Sequence, residues 1–150
     1  GPEGVDTVTF TVATNPGAPS GALNKIASGG ELSRFLLALK VCLMGDSPGM
    51  TMIFDEIDRG VGGAVAQAIG ERLARLASAG QLLAVTHSPQ VAARGGQHYF
   101  IAKSSDGLVT RTGVVLLDGA GREEEIARML SGAEITPEAR AQAERLLEGV

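Results

Sequence analysis

Residues 50–87 read MTMIFDEIDRGVGGAVAQAIGERLARLASAGQLLAVTH, and this stretch decides the fold. It opens on a short continuous apolar run, which predicts a buried strand over residues 50–55. Residues 62–79 repeat apolar side chains at steps of three and four, which predicts an amphipathic helix, and residues 81–87 predict a second buried strand. A strand, a helix and a strand at this spacing predict a βαβ unit with parallel strands and a right-handed crossover.

The remaining elements follow from the same periodicities. Residues 5–13 alternate between apolar and polar side chains, which predicts a half-buried strand. Residues 28–44 predict an amphipathic helix, and residues 98–118 predict an antiparallel hairpin. Two closing helices are predicted over 122–131 and 137–148. The predicted fold is therefore α/β, a mostly parallel sheet flanked by helices with a late hairpin.

The composition is that of a globular protein in a reducing compartment. The chain has 150 residues, of which 44% are apolar and 20% charged, as in ordinary globular domains. Cys42 is the only cysteine, so no internal disulfide can form, which favours the cytoplasm. With no signal peptide visible and no apolar run of membrane-spanning length, we expect no membrane partner. A net charge of −4 weighs against this segment gripping DNA by itself, because phosphate binding needs clustered Lys and Arg.

The motif SGGE, residues 28–31, has two competing interpretations. Ser28 and Glu31 fit a capping box, with Ser28 as the N-cap and Glu31 as the third helical residue. A capping box does not require Gly29 or Gly30, and a glycine inside a helix costs about 1 kcal/mol relative to alanine. Two glycines leave the N–H groups of the first turn bare, and such a helix start attracts anions. A plain cap and a phosphate site both remain open from these residues.

Two carboxylates end the first buried strand. Asp55 and Glu56 close the run TMIFDE, residues 51–56, which matches the Walker B pattern. An aspartate in this position can help to hold Mg²⁺ through water. The glutamate after it can orient or deprotonate an attacking water. A loop with solvated carboxylates explains the same residues.

A histidine ends the second buried strand. His87 closes the run LLAVTH, and a hydrogen-bonded structural histidine is its plain interpretation. His98 carries only that plain interpretation. In an open α/β sheet, however, ligands bind beyond the carboxyl ends of the strands. Asp55, Glu56 and His87 are therefore predicted to converge on one phosphate and metal site.

The order of these motifs resembles an ABC-type ATPase head: SGGE opening a helix, an apolar strand ending in Asp-Glu, and a strand ending in His. Residues 25–40, 53–77 and 85–103 resemble the C-terminal part of the RecN family, the SMC-like bacterial ATPases of DNA double-strand-break repair. The resemblance runs over most of the chain, and the last two helices add little to it. It implies that residues 1–150 are the C-terminal lobe of a split P-loop ATPase head.

The resemblance implies a role for each motif residue. In such heads, the signature of one protomer faces a nucleotide held by the Walker A motif of another, which implies ATP and Mg²⁺ as cofactors and a homodimer of heads. It implies that Asp55 serves Mg²⁺, that Glu56 is the catalytic base and that His87 acts as a γ-phosphate switch. Asp58 is implied to occupy the D-loop and bridge the dimer. The residues implied to bind the nucleotide in trans are Ser28, Gly29, Gly30 and Glu31.

The sequence contains no G-x-x-x-x-G-K-[ST] phosphate loop. SMC-like heads carry this Walker A motif in an N-terminal segment, which the resemblance implies as a partner. We expect the chain alone neither to bind ATP tightly nor to hydrolyse it. The complete protein is expected to hydrolyse ATP during recombinational repair, in the cytoplasm and associated with the nucleoid, and to contact DNA through a surface that the sequence does not identify.

Three alternatives stay open. A transporter ATPase subunit would carry Walker A upstream of its signature, and residues 1–27 contain none; Ala27 and Glu31 also stand where many transporters have Leu and Gln. The run DEID, residues 55–58, fits a helicase motif, but a helicase leaves SGGE without a function. A non-catalytic interaction module is also possible, because half of a domain must expose or pair the surface that its other half covers.

Overall fold

The computed structural model describes residues 1–2, 4–13, 16–26, 32, 35, 37–39, 51–105, 110–132 and 134–149. The chain divides into two compact units, Gly1–Gly45 and Asp46–Val150. The candidate site lies entirely in the second unit.

The first unit contains a short antiparallel pair. β1 (Thr11–Val12) pairs with β2 (Gly21–Ala22), and α1 (Leu23–Ile26) follows at once. The strand predicted over 5–13 is therefore shorter in the structure, because a strand needs a paired neighbour to persist and this one has it only at its end. The helix predicted over 28–44 lies largely outside the described residues, although the described positions within it, 32, 35 and 37–39, are helical.

The second unit opens with the βαβ arrangement that the sequence predicts. β3 (Thr51–Asp55) pairs in parallel with β4 (Gln81–Val85), and α2 (Gly63–Ala77) connects them. The predicted ranges agree with these elements to within two residues. The apolar face of α2 is buried, as are the alternate residues of β3: Ala66, Ile69, Leu73, Leu76, Met52 and Phe54.

Helix α2 packs closely against α3 (Pro89–Ala92), the short helix that begins just beyond β4. A Cβ added at Gly70 would lie 3.0 Å from the carbonyl oxygen of Gln90 and 3.2 Å from the Cα of Val91. Distances this short between backbone and side-chain atoms require one helix to move. Gly70 therefore sets how near the segment after β4 can approach the crossover helix.

We expect Gly70→Val to lower the free energy of unfolding by about 1–3 kcal/mol, the usual cost of overpacking a tight contact. Urea unfolding followed by circular dichroism measures the change. Gly62→Ala is the matched control, because Gly62 has an extended backbone and no described atom lies within 4 Å of its added Cβ. Equal stability of the two variants would contradict the close approach at Gly70.

An antiparallel hairpin follows, as predicted over 98–118. β5 (Tyr99–Ser105) pairs with β6 (Thr110–Leu116), with Tyr99 opposite Leu116. The tip between the two strands lies outside the described residues. The architecture of the second unit is thus a parallel pair with its crossover helix and a separate antiparallel pair, both within the α/β class.

The last two helices of the chain are capped at their N-termini and pack around a small apolar core. The Asp118 side chain accepts a hydrogen bond from the Gly121 N–H at 2.8 Å and starts α4 (Gly119–Ser131) three residues earlier than predicted. Thr136 caps α5 (Pro137–Glu148), as its position before Pro137 predicts. The core between these helices and the end of α3 consists of Ala93, Ile126, Ala127, Ala139 and Ala143.

Arg122 and His98 lie at the start of this helical core. The Arg122 guanidinium donates to the carbonyl oxygens of Ala93 and Gly95, which ties the loop after α3 to α4. Burial lowers the pKa of His98 below its ordinary value; nearby Glu125 opposes the shift and Arg122 adds to it. The His98 Nδ1 is buried and has no hydrogen-bond partner within the part of the chain that is described. These surroundings favour the neutral ring of a structural histidine.

Across the described ranges, no helix is both long and apolar enough to cross a membrane.

Candidate active site

The parallel strands β3 and β4 end at the same edge of the sheet. Asp55 lies opposite Val85, and the Glu56 N–H donates to the carbonyl oxygen of Val85 at 2.9 Å. This bond extends the pairing of β3 with β4 by one residue, and beyond it the two strands are followed by turns. Residues about thirty positions apart are thereby brought side by side, as parallel strands require of their carboxyl ends.

Glu56 and His87 meet at this edge. The His87 Nε2 lies 3.2 Å from the Glu56 Oε1, and the Arg59 Nη1 lies 3.6 Å from the other carboxylate oxygen of Glu56. The His87 side chain is 84% exposed and that of Glu56 is 39% exposed. The carboxylate thus sits half-shielded between two basic side chains, and the histidine is open to a ligand from solvent.

Glu56 has a strained backbone. Its φ is +46°, a left-handed conformation that among the described non-glycine residues occurs only here. Such a conformation costs about 1–3 kcal/mol and persists only when the surroundings impose it. The hydrogen bond to Val85 and the two side-chain contacts of Glu56 are the surroundings that the structure supplies.

Asp58 points into the protein. Its residue is 7% exposed, and its Oδ2 accepts hydrogen bonds from the Thr86 hydroxyl at 2.5 Å and from the Ser88 N–H at 3.1 Å. The same Ser88 N–H lies 2.9 Å from the Thr86 Oγ1. The predicted role of Asp58 in bridging two protomers stays a prediction, whereas its contacts within the chain are with the residues on either side of His87.

An open depression of about 560 Å³ covers this edge of the sheet. Side chains of both charges border it, with Glu56 and Asp58 facing Arg59 and His87. The other lining residues are Gly60, Val61, Ser88, Pro89 and Gln90. Its lining comes from the two turns that follow β3 and β4, which is where the sequence predicts the site.

Asp55 ends β3 with an exposed side chain beside Glu56. In the described part of the chain, no group of three or more His, Cys, Asp or Glu side chains could hold a metal ion alone. Magnesium in nucleotide sites needs only one or two carboxylates, because phosphates and water complete its coordination. The donor set at 55 and 56 therefore fits a magnesium ion that arrives with a nucleotide.

The predicted trans-binding residues Ser28, Gly29, Gly30 and Glu31 lie outside the described residues. The described structure thus brings Glu56, Asp58 and His87 together and has Asp55 next to them. It adds Arg59, Thr86 and Ser88, for which the motif reasoning gave no role. The hydroxyl residues Thr86 and Ser88 on either side of His87 were the one sequence signal for these contacts, because Ser and Thr side chains often bond to nearby backbone groups.

Comparison with known sequences finds relatives over almost the whole chain. It is 51% identical to "DNA repair protein RecN" of Streptomyces coelicolor over 148 residues, or 99% of the chain. It is 49% identical to RecN of Xylella fastidiosa strain Temecula1 over 147 residues and 48% identical to RecN of Rickettsia bellii over 144 residues. The chain spans 26% of the length of each of these relatives. No family model matches it.

The fold also has a solved counterpart. A structure from "Structural biochemistry of ATP-driven dimerization and DNA stimulated activation of SMC ATPases" superposes with a TM-score of 0.56, covering 83% of this chain and 81% of that one. The two sequences are 16% identical, so this likeness concerns the fold alone, and it confirms the predicted α/β class. With 44–51% identity to RecN proteins over almost all of its residues, the chain belongs to the RecN family.

Proposed function

We propose that this chain supplies the Walker B, D-loop, H-loop and signature residues of an SMC-like ATPase head, and that the complete protein hydrolyses ATP during the repair of DNA double-strand breaks. The observation that carries the proposal is the contact of Glu56 with His87, at 3.2 Å, on the carboxyl edge of a parallel strand pair. A carboxylate that can orient or deprotonate the attacking water is one of the parts that hydrolysis of a terminal phosphate uses, and a neighbouring histidine on this edge can contact that phosphate.

In this proposal each residue has a separate task. The Glu56 carboxylate accepts the proton of the attacking water, and its half-shielded position keeps it near the reacting phosphate. The exposed His87 ring contacts the terminal phosphate while its Nε2 stays within reach of Glu56. Asp55 would hold a magnesium ion, which would neutralise charge on the phosphates.

The site is incomplete within these 150 residues. No phosphate-binding loop occurs in the sequence, and the chain spans 26% of its relatives. We therefore propose that a Walker A segment elsewhere in the protein completes the nucleotide site, and that a second head contributes the signature Ser28, Gly29, Gly30 and Glu31. The name of the structural neighbour, which refers to ATP-driven dimerization, supports such a pairing of heads.

The RecN relatives favour this proposal over a transporter subunit, because their names assign them to DNA repair. A net charge of −4 gives this segment no general attraction for DNA phosphates. The proposed DNA contact is therefore made by other parts of the full-length protein.

The full-length protein is expected to release phosphate from ATP only when Mg²⁺ is present, while this chain alone releases none above background. Adding the Walker A segment as a separate polypeptide is expected to restore part of the turnover. Phosphate release, measured side by side for the three samples, checks this. Turnover by the chain alone contradicts the split head, and an inert full-length protein contradicts the ATPase itself.

A further inference from the structure

Asp58 is a buried residue, and both hydrogen bonds that its side chain makes in the described structure come from the turn after β4. A carboxylate that is 7% exposed needs strong partners, because an unpaired buried charge is very costly. Its Oδ2 has two, the hydroxyl of Thr86 and the N–H of Ser88. One oxygen atom thus holds the residues immediately before and after His87.

The His87 side chain has little else to fix it. It is 84% exposed, and its hydrogen-bonding contact in the described structure is the one with Glu56. An exposed ring with a single contact takes its position mainly from its backbone. Asp58 holds that backbone through the Thr86 side-chain hydroxyl on one side and the Ser88 backbone N–H on the other.

Asp58 is equally tied to the turn that carries Glu56. The Arg59 N–H donates to the Glu56 carbonyl oxygen at 3.0 Å, and the Val61 N–H donates to the Asp58 carbonyl oxygen at 3.1 Å. Between them, Ile57 is buried at 6% exposure. Asp58 therefore belongs to a short, anchored turn, and its side chain crosses from that turn to the one after β4.

We infer that Asp58 is a positioning residue, which clamps the turn carrying His87 to the turn carrying Glu56 so that both side chains reach the same phosphate. This inference rests on the proposed ATPase function and deepens it. It assigns Asp58 a task within one head, separate from any contact between two heads.

The test uses three variants of the full-length protein. Asp58→Ala is expected to lower kcat for ATP hydrolysis by about 10- to 100-fold, since displacing a reacting group by about 1 Å can cost 100-fold. KM for ATP is expected to stay near the wild-type value, because in the proposed clamp the Asp58 carboxylate bonds to Thr86 and Ser88 and not to the nucleotide. Thr86→Val, which removes one donor to Asp58, is expected to lower kcat in the same direction. Asp58→Asn keeps an acceptor oxygen for both donors and is expected to retain most of the activity.

A double-variant cycle separates the clamp from independent effects. Because Asp58 and Thr86 act through one hydrogen bond, the combined variant is expected to lose no more than Asp58→Ala alone. The inference is overturned if the two losses multiply, if Asp58→Asn is as inactive as Asp58→Ala, or if kcat does not change. Thermal unfolding of each variant shows whether it is folded, and an unfolded Asp58→Ala leaves Thr86→Val and Asp58→Asn to decide.

A measurement that does not depend on ATP hydrolysis distinguishes a failure of the clamp from a failure of the proposed ATPase function. Amide hydrogen exchange of the peptide containing Ser88 is expected to speed up in Asp58→Ala and not in Asp58→Asn. If Glu56→Gln leaves turnover intact, the proposed role of Glu56 as the base fails while the exchange result still decides the clamp. If Glu56→Gln abolishes turnover and exchange at Ser88 does not respond to Asp58→Ala, the clamp alone is wrong.

Discussion

Full-length protein carrying Glu56→Gln is expected to bind ATP and dimerise with it, but to lose turnover by about 10²- to 10⁴-fold, the usual contribution of general base catalysis. Glutamine has the size of glutamate, and its amide oxygen can still accept a hydrogen bond from the His87 Nε2. An amide cannot, however, take a proton from water at neutral pH. Phosphate release and particle size by light scattering, measured on the same samples, report the two properties.

The geometry explains why binding should survive this change. Glu56 is held by two backbone bonds, from its N–H to the Val85 carbonyl oxygen and from the Arg59 N–H to its carbonyl oxygen, and neither depends on the charge of the side chain. The weak ion pair with Arg59 at 3.6 Å is the contact that glutamine loses. Since Arg59 is 84% exposed, that loss costs little in stability.

Glu144→Gln is the matched control. Glu144 is exposed on α5 and does not line the depression, so the same chemical change there should leave both turnover and dimerisation unchanged. Retained turnover in Glu56→Gln would remove Glu56 from the role of base. Loss of ATP-driven dimerisation together with turnover would point instead to a role of Glu56 in holding the nucleotide.

The parallel strand pair and its crossover helix could be predicted from the sequence because their signals are local. The run ending in Asp55-Glu56, the apolar spacing of residues 62–79 and the run ending in Thr86-His87 each specify their own element. The rule that parallel strands end at one edge then brings Glu56 near His87 without further information. The proximity of these two side chains could therefore be predicted from the sequence alone.

The clamp made by Asp58 could not be predicted from local sequence signals. A charged residue in a turn is usually solvated, and nothing within DEIDRG indicates that the Asp58 side chain is buried. Its partners Thr86 and Ser88 lie 28 and 30 positions away, and they become neighbours only through the register that sets Asp55 opposite Val85. The left-handed backbone of Glu56 is likewise a consequence of this packing, since glutamate has no preference for positive φ.

The short first strand shows the limit of periodicity. The alternation over residues 5–13 identifies two faces but not a partner strand, and the structure pairs only Thr11 and Val12. Val8 and Phe10, which share the predicted apolar face, are exposed. The α4 boundary shows the opposite case, because Gly119 and Gly121 resemble a loop in sequence while Asp118 caps a helix there.

Full-length protein carrying Ser28→Arg is expected to bind ATP as the wild type does and to form no ATP-driven dimer. Ser28 opens the SGGE motif, where a small side chain and two glycines leave room for the nucleotide of another head. If the signature acts in trans, a long cationic side chain at position 28 fills that room and leaves the nucleotide held by its own head unaffected. ATP binding to the monomer and particle size with ATP measure the two effects. Loss of ATP binding by the single variant would place Ser28 in its own nucleotide site.

Mixing Ser28→Arg with Glu56→Gln tests the same arrangement by complementation. If the signature acts in trans, one site of a mixed dimer combines the Glu56 of the first variant with the Ser28 of the second, and both are wild type. The other site carries both substitutions, so the clash caused by Ser28→Arg affects one site of the mixed dimer instead of two. A fraction of the wild-type turnover is therefore expected to reappear in the mixture, although each variant alone hydrolyses almost no ATP. If the signature served its own head, every site in the mixture would carry one of the two substitutions, because the intact residues would never meet, and mixing would restore nothing.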